Sequence, residues 1–240
     1  MDYNLIKDQF GTWAPVLKDF IEKDAFNDIF KTLRGLTKRG RTVCPTYDKT
    51  FRCFTETPYD QLRAVFVFSC PYETMVNNRP LADGLALSTG NTGTVTPGIK
   101  HFFNAMAEDF PNEMPDRFTA PDLSYLASQG VLMLNVALTT ELYKYGSHVE
   151  LWRPFMEYLF TEVLGRYPRS LPIVFVGEQA KSFNHLVFAF NHWVFTAEDP
   201  VKLDADQHWE HKNLFRHVDR IIRDNNPGFF LKWNPARLAA

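Results

Sequence analysis

The sequence predicts an α/β protein: a three-layer α/β/α sandwich around a central, mainly parallel four-stranded sheet. Three observations carry this. Short apolar runs rich in β-formers recur along the chain, segments with helical spacing of apolar residues lie between them, and each run gives way to a polar or glycine-containing loop. Alternation of this kind favours parallel strands joined by helices, with ligands at the carboxyl ends of the strands.

Residues 13 to 35 place Trp13, Val16, Leu17, Phe20, Ile21, Phe26, Ile29, Phe30 and Leu33 three or four apart, which predicts an amphipathic helix. A loop with Lys38, Arg39, Arg41 and Pro45 follows, and a short helix is expected from near Lys49. Residues 63 to 69 form the first buried strand, ended by Cys70-Pro71-Tyr72. Similar runs at Val131 to Val136 and Leu171 to Val176 predict two more strands, with helical patterns at 98 to 110 and 148 to 164 between the three. Trp193 to Thr196 is a candidate fourth strand and Leu214 to Arg223 a closing helix. No repeat or linker interrupts the pattern. One domain over residues 1 to 240 is therefore expected, its first 60 residues a helical region packed on the rest.

With 45% hydrophobic and 15% aromatic residues, including 22 Phe, the chain can fill a substantial core. Its longest apolar runs fall far short of the roughly 20 residues needed to span a bilayer. The opening Met1-Asp2-Tyr3-Asn4 lacks the basic start and apolar stretch of a secretory leader, so an intracellular protein, cytoplasmic or nucleoid-associated, is expected. Cys44, Cys53 and Cys70 make an odd set without CxxC spacing, which predicts reduced thiols and no metal site. No cofactor is expected. A formal charge of −2 gives no global attraction to nucleic acid, so any DNA contact is local.

The post-strand loops, taken in order, resemble the motifs of family 1 uracil-DNA glycosylases. Ala64 to Glu73 (Ala-Val-Phe-Val-Phe-Ser-Cys-Pro-Tyr-Glu) is similar to the family's strand and Gly-Gln-Asp-Pro-Tyr-His loop. Asp83 to Ser88 (Asp-Gly-Leu-Ala-Leu-Ser) resembles His-Gly-Leu-Ala-Phe-Ser, and Thr96 to Ile99 sits at the place of a proline-rich loop. Gly130 to Thr139 (Gly-Val-Leu-Met-Leu-Asn-Val-Ala-Leu-Thr) is the most specific match, to Gly-Val-Leu-Leu-Leu-Asn-Thr-Val-Leu-Thr. Gly146-Ser147-His148 before Trp152, Val176 to Ala180, Cys44-Pro45 to Asp60 and Lys232-Trp233 continue the likeness in the same order.

The resemblance implies a role for each position. Cleaving a deoxyuridine N-glycosidic bond leaves positive charge on the sugar and negative charge on the base, and the nucleotide must first be flipped into a pocket. Cys70 replaces the water-positioning carboxylate; a thiol with a reference pKa near 8.5 is mostly neutral. It is either a weak nucleophile or a small buried hydrophobe. Ala197 stands for the imidazole that steadies the leaving base, in Ala197-Glu198-Asp199-Pro200-Val201-Lys202. His192 and His208 are the histidines considered as replacements. Leu87 replaces the stacking aromatic, worth about 1–3 kcal/mol per base. Ser69 and Phe68 replace a glutamine and a glycine, and Phe68 would crowd the mouth.

Asn135 and Tyr72 match the base-reading amide and the ring that excludes a 5-methyl group. Each also has a plain structural alternative, as a strand-end amide and as an aromatic packed by Pro71. Glu73 is the one nearby carboxylate suited to act as a base, or else a solvated loop charge. The loops expected to face DNA carry Pro97, Gly98, Gly177, Glu178, Ala197, Pro200 and Val201, with Glu178, Glu198 and Asp199 opposing phosphates.

Three functions follow as expectations. The first is a catalytically degenerate family member that binds DNA, disfavoured by the local acids, or a protein partner. The second is an active glycosylase working through Asn135 with Glu73 or Cys70. The third is a scaffold subunit docking through Trp193, Trp209 and Phe229-Phe230. No membrane partner is expected.

Overall fold

The computed structural model describes residues 2–114, 119–187 and 192–235. After a short helical stretch over Tyr3–Ile6 and Lys7–Trp13 come two longer helices, α1 (Ala14–Ile21) and α2 (Asp24–Lys38), and a short α3 (Arg52–Glu56) leads to the first strand. The expected single helix over 13 to 35 is thus broken: Lys23 is extended, at φ −75° and ψ 153°. The break lets Phe20 and Phe26 both pack on Phe155, with ring centroids 5.6 and 6.5 Å away. Apolar spacing continues unchanged across it, which is why the sequence pattern conceals the turn.

The four strands are β1 (Ala64–Phe68), β2 (Val131–Asn135), β3 (Pro172–Val176) and β4 (Trp193–Ala197), ordered β2-β1-β3-β4 in one sheet. Every pairing in it is parallel, with Ala64 beside Val131 and Val176 beside Ala197. Strands β1 to β3 are buried throughout, as continuous apolar runs require, while β4 at the edge is partly exposed.

Helices α4 (Pro97–Asp109), α5 (Val149–Tyr158) and α6 (Leu214–Asn225) complete the layers. On one face Phe66 of β1 meets Phe102 of α4 and Phe215 of α6, each with centroids 6.0 Å away. On the other face Phe175 of β3 meets Phe160, 5.6 Å away, in the wider helical turn that continues α5 to Leu164. The sheet therefore lies between two helical layers, as expected. Buried apolar residues form one cluster from Ile6 to Trp233. Among the described residues no helix is long and apolar enough to cross a membrane.

The parallel arrangement sends Phe68, Asn135, Val176 and Ala197 to the same end of the sheet. The site is assembled there.

Candidate functional site

Loop 83–90, which follows the first strand's loop, is held by a buried ionic hub. The Asp83 carboxylate, fully buried, receives Arg52 Nη1 at 2.7 Å, Ser88 Oγ at 2.7 Å and the amides of Gly90 and Leu85 at 2.7 and 3.2 Å. Arg52 also reaches Glu56 at 2.5 Å and Asp122 at 3.1 Å, and these carboxylates lift its pKa above the ordinary guanidinium value against the opposing effect of burial. A half-satisfied network of this kind would be costly, but here each Asp83 oxygen has partners. Gly84 turns the chain at φ 96°, and a Cβ there would lie 2.0 Å from Lys49 O. The loop so fixed holds Leu87 at φ 65°, a left-handed conformation that costs a non-glycine residue about 1–2 kcal/mol.

Leu87 is buried and points at Gly98 in the first turn of α4. A Cβ on Gly98 would stand 2.9 Å from Val201 Cγ2 and 3.2 Å from Leu87 Cδ1, so glycine is what lets these two side chains close over the helix start. Thr96 caps α4 by accepting from the Ile99 amide at 3.2 Å, and the same hydroxyl shares a 2.9 Å hydrogen bond with Tyr72 OH. Tyr72 is thereby pinned across the pocket from β2.

The resulting cavity is lined by Phe68, Ser69, Cys70, Pro71, Tyr72, Glu73, Leu87, Asn135, Tyr145, Asp199 and Val201. Its free volume is about 20 Å³, room for roughly one water. Asn135 Oδ1 is buried there without a hydrogen-bond partner, and Ser69 Oγ lies buried beside the Tyr145 hydroxyl. An unpaired amide oxygen in so small a cavity marks a place for a polar guest, since leaving it unmet costs about 1–3 kcal/mol.

Cys70 is partly buried, and burial, reinforced by the charges of Glu73 and Asp199, pushes its thiol up to about 12. It is neutral at physiological pH and supplies no anion. Two carboxylates line the cavity, Glu73 and Asp199, and of these Asp199 is the buried one. It is 6% exposed, its Oδ1 accepts from the Val201 amide at 3.0 Å and its Oδ2 from Tyr145 OH at 3.3 Å, and burial raises its pKa above the ordinary carboxylate value. Sequence reasoning missed both Asp199 and Tyr145 as lining residues, treating Asp199 only as a charge that repels an anionic base and phosphates. The available signal was Asp199-Pro200, an aspartate poised to bond the amide two residues on and so turn its carboxylate inward.

No imidazole lines the cavity among the described residues. His192 stands at the far end of β4, accepting from the Leu171 amide at 3.1 Å and meeting Leu164 O at 2.8 Å, and burial lowers its pKa. His208 pairs with Glu108 at 3.0 Å. Ala197 ends β4, where its carbonyl accepts from the Gly177 amide at 2.9 Å, and it is not part of the lining.

Of the residues expected at the site, Cys70, Tyr72, Glu73, Leu87, Asn135 and Val201 are brought together. Pro97 and Gly98 open α4, Gly177 and Glu178 start the short helix after β3, and Pro200 begins a 3-10 turn after β4. Glu178 and Glu198 are exposed, yet Lys181 bridges them at 2.9 and 2.5 Å, and Lys202 lies 5.4 Å from the Tyr145 ring centroid. The acidity expected along this face is partly neutralised by these lysines.

No family model matches the chain. Among curated proteins, the uracil-DNA glycosylase of Dichelobacter nodosus is 30% identical over 194 residues, covering 80% of this chain and 81% of that protein. The chain belongs to the uracil-DNA glycosylase family. A glycosylase of Francisella tularensis subsp. holarctica is 26% identical over 215 residues, covering 88% of this chain and 93% of that one. The fold agrees with solved glycosylase structures: mimivirus uracil-DNA glycosylase superposes with a TM-score of 0.83 at 18% identity, covering 96% of this chain and 89% of that one. The enzyme of Nitratifractor salsuginis gives 0.61 at 17% identity, with 91% and 95% covered.

Proposed function

We propose that this member of the uracil-DNA glycosylase family is catalytically degenerate and uses the loops at the carboxyl ends of its strands to bind DNA or a protein partner. One observation carries the proposal: the cavity at the family's base pocket holds roughly one water, walled by Leu87, Phe68 and Val201, with a neutral thiol at position 70 and no lining imidazole. Both charges that develop at a breaking glycosidic bond require stabilisation, and the leaving base here meets no ring nitrogen.

A specific observation favours the second reading, an altered glycosylase. Asp199 sets a buried carboxylate in the cavity beside Tyr72 and the free oxygen of Asn135. If the pocket opens, this carboxylate could take the place of the missing anion.

One experiment separates the two. Protein prepared from a host lacking its own uracil-DNA glycosylase is incubated with single-stranded and duplex uracil-containing DNA, and abasic sites are counted. The expected result is no excision above the buffer rate, alongside salt-dependent affinity for DNA or a stable co-purifying protein. Excision that is lost in Asp199→Asn and in Asn135→Ala would overturn the degenerate reading and establish the second.

A further inference from the structure

Away from the base pocket, a second group of chemically capable side chains lies where the end of α4 meets the chain returning from β4. Glu108 Oε2 is 3.0 Å from His208 Nε2 and 3.0 Å from His211 Nε2, and the three donor atoms lie within 4.8 Å of one another. Ligands about 2.0–2.1 Å from a tetrahedral ion are spaced roughly 3.3 Å apart, so an ion would widen the two Glu–His separations slightly and draw the two imidazole nitrogens, which lie within 4.8 Å of each other, to the same spacing.

The arrangement is built rather than incidental. Trp209, between the two histidines, is buried at 2% exposure; its Nε1 donates to Glu198 O at 2.8 Å and its ring stacks on Phe102 at 6.3 Å. This holds the His208-x-x-His211 backbone over the helix end. Behind His211, the buried Asp109 presents Oδ2 at 3.5 Å from Nδ1 while also accepting from the Phe215 amide at 2.9 Å. A carboxylate behind the non-ligating nitrogen is the outer contact that fixes a metal-bound imidazole's tautomer. His208 is 59% exposed on its side chain, which leaves a further coordination position open to water.

We propose that Glu108, His208 and His211 bind a borderline divalent cation of the zinc class, fastening the loop over residues 198 to 213 to the end of α4. Two imidazoles and a carboxylate suit such an ion better than magnesium or calcium, which take oxygen donors. The site amends the sequence-based expectation of no metal, which looked only at cysteine spacing; its carboxylate is a hundred residues from the histidines. The fastened loop begins with Asp199 and Val201, so the ion would brace two walls of the cavity without touching it.

The test uses chelator-stripped full-length protein dialysed against Co²⁺ or Zn²⁺. One ion per chain is expected, with visible d–d absorption for Co²⁺ that Zn²⁺ displaces, and slower amide exchange over residues 203 to 212 once metal is bound. Glu108→Gln and His208→Gln should each lose more affinity than the roughly 10–100-fold that follows from changing an outer contact. His208→Gln alters an exposed side chain, and its metal-free melting curve should match the parent's. Substoichiometric uptake without d–d bands, or unchanged affinity in both variants, would overturn the site; metal uptake with unchanged exchange in that stretch would overturn the fastening.

Discussion

At position 199 an aspartate is buried against the Tyr145 hydroxyl and the Val201 amide, with its pKa raised chiefly by loss of water. Because the folded value lies above the unfolded one, folding takes up a proton between the two. The stability tied to this carboxyl is full below the unfolded pKa and is lost as pH rises through the folded one. Asparagine at this position keeps an oxygen for the Val201 amide and removes the titration. The gain in melting temperature of Asp199→Asn over the parent should therefore be smallest near about pH 4 and grow toward about pH 7, measured by thermal melts across that range. A gain that does not vary with pH would contradict a buried, charge-bearing Asp199. The same burial logic acts on Cys70, but there it removes a charge, since a thiol stays neutral where a carboxylate ionises.

Among the elements, the strands were legible to within a residue or so, because runs such as Ala64 to Phe68 and Pro172 to Val176 are apolar without interruption and rich in β-branched and aromatic residues. The loop at 83–90 was legible only as a motif. Its anchor joins residues 52, 83 and 122, far apart in the chain, and no local pattern shows that Arg52 serves them. The approach of Tyr145 escaped for the same reason, being set by a tertiary contact, whereas the inward turn of Asp199 has a local part in its bond to the Val201 amide. Trp209, expected on a docking surface, proved to be buried, whereas Trp193 and Phe230 are each 57% exposed. Gly84 gives the sharpest test at this scale. A methyl group there would meet Lys49 O at 2.0 Å in a backbone conformation that favours glycine, so Gly84→Ala should cost about 4 kcal/mol or more. For a chain of this size that is a fall of roughly 8–16 °C in the melting midpoint, read by calorimetry. A shift under about 2 °C would mean the loop moves freely, and with it the seating of Leu87.

For the whole molecule, the N-terminal helices share ring contacts with α5 through Phe10, Phe26, Phe54 and Phe155, and the buried cluster, which takes in the sheet, runs from Ile6 to Trp233. We take the chain to unfold as one cooperative unit. Melting followed by far-UV circular dichroism and by tryptophan fluorescence should superimpose, with Trp13 and Trp152 reporting the helical layer and Trp233 the opposite one. Two separated transitions would divide it. The narrowness of the cavity has a consequence for anything larger than a water that enters. Leu87 and Val201 must part first, so the observed affinity is the intrinsic one scaled by the fraction of molecules already open; a gap present about 1% of the time weakens binding roughly a hundredfold. Whatever ligand the site accepts is thus selected twice, once by how it fits the Asn135 amide and once by how well it props the door.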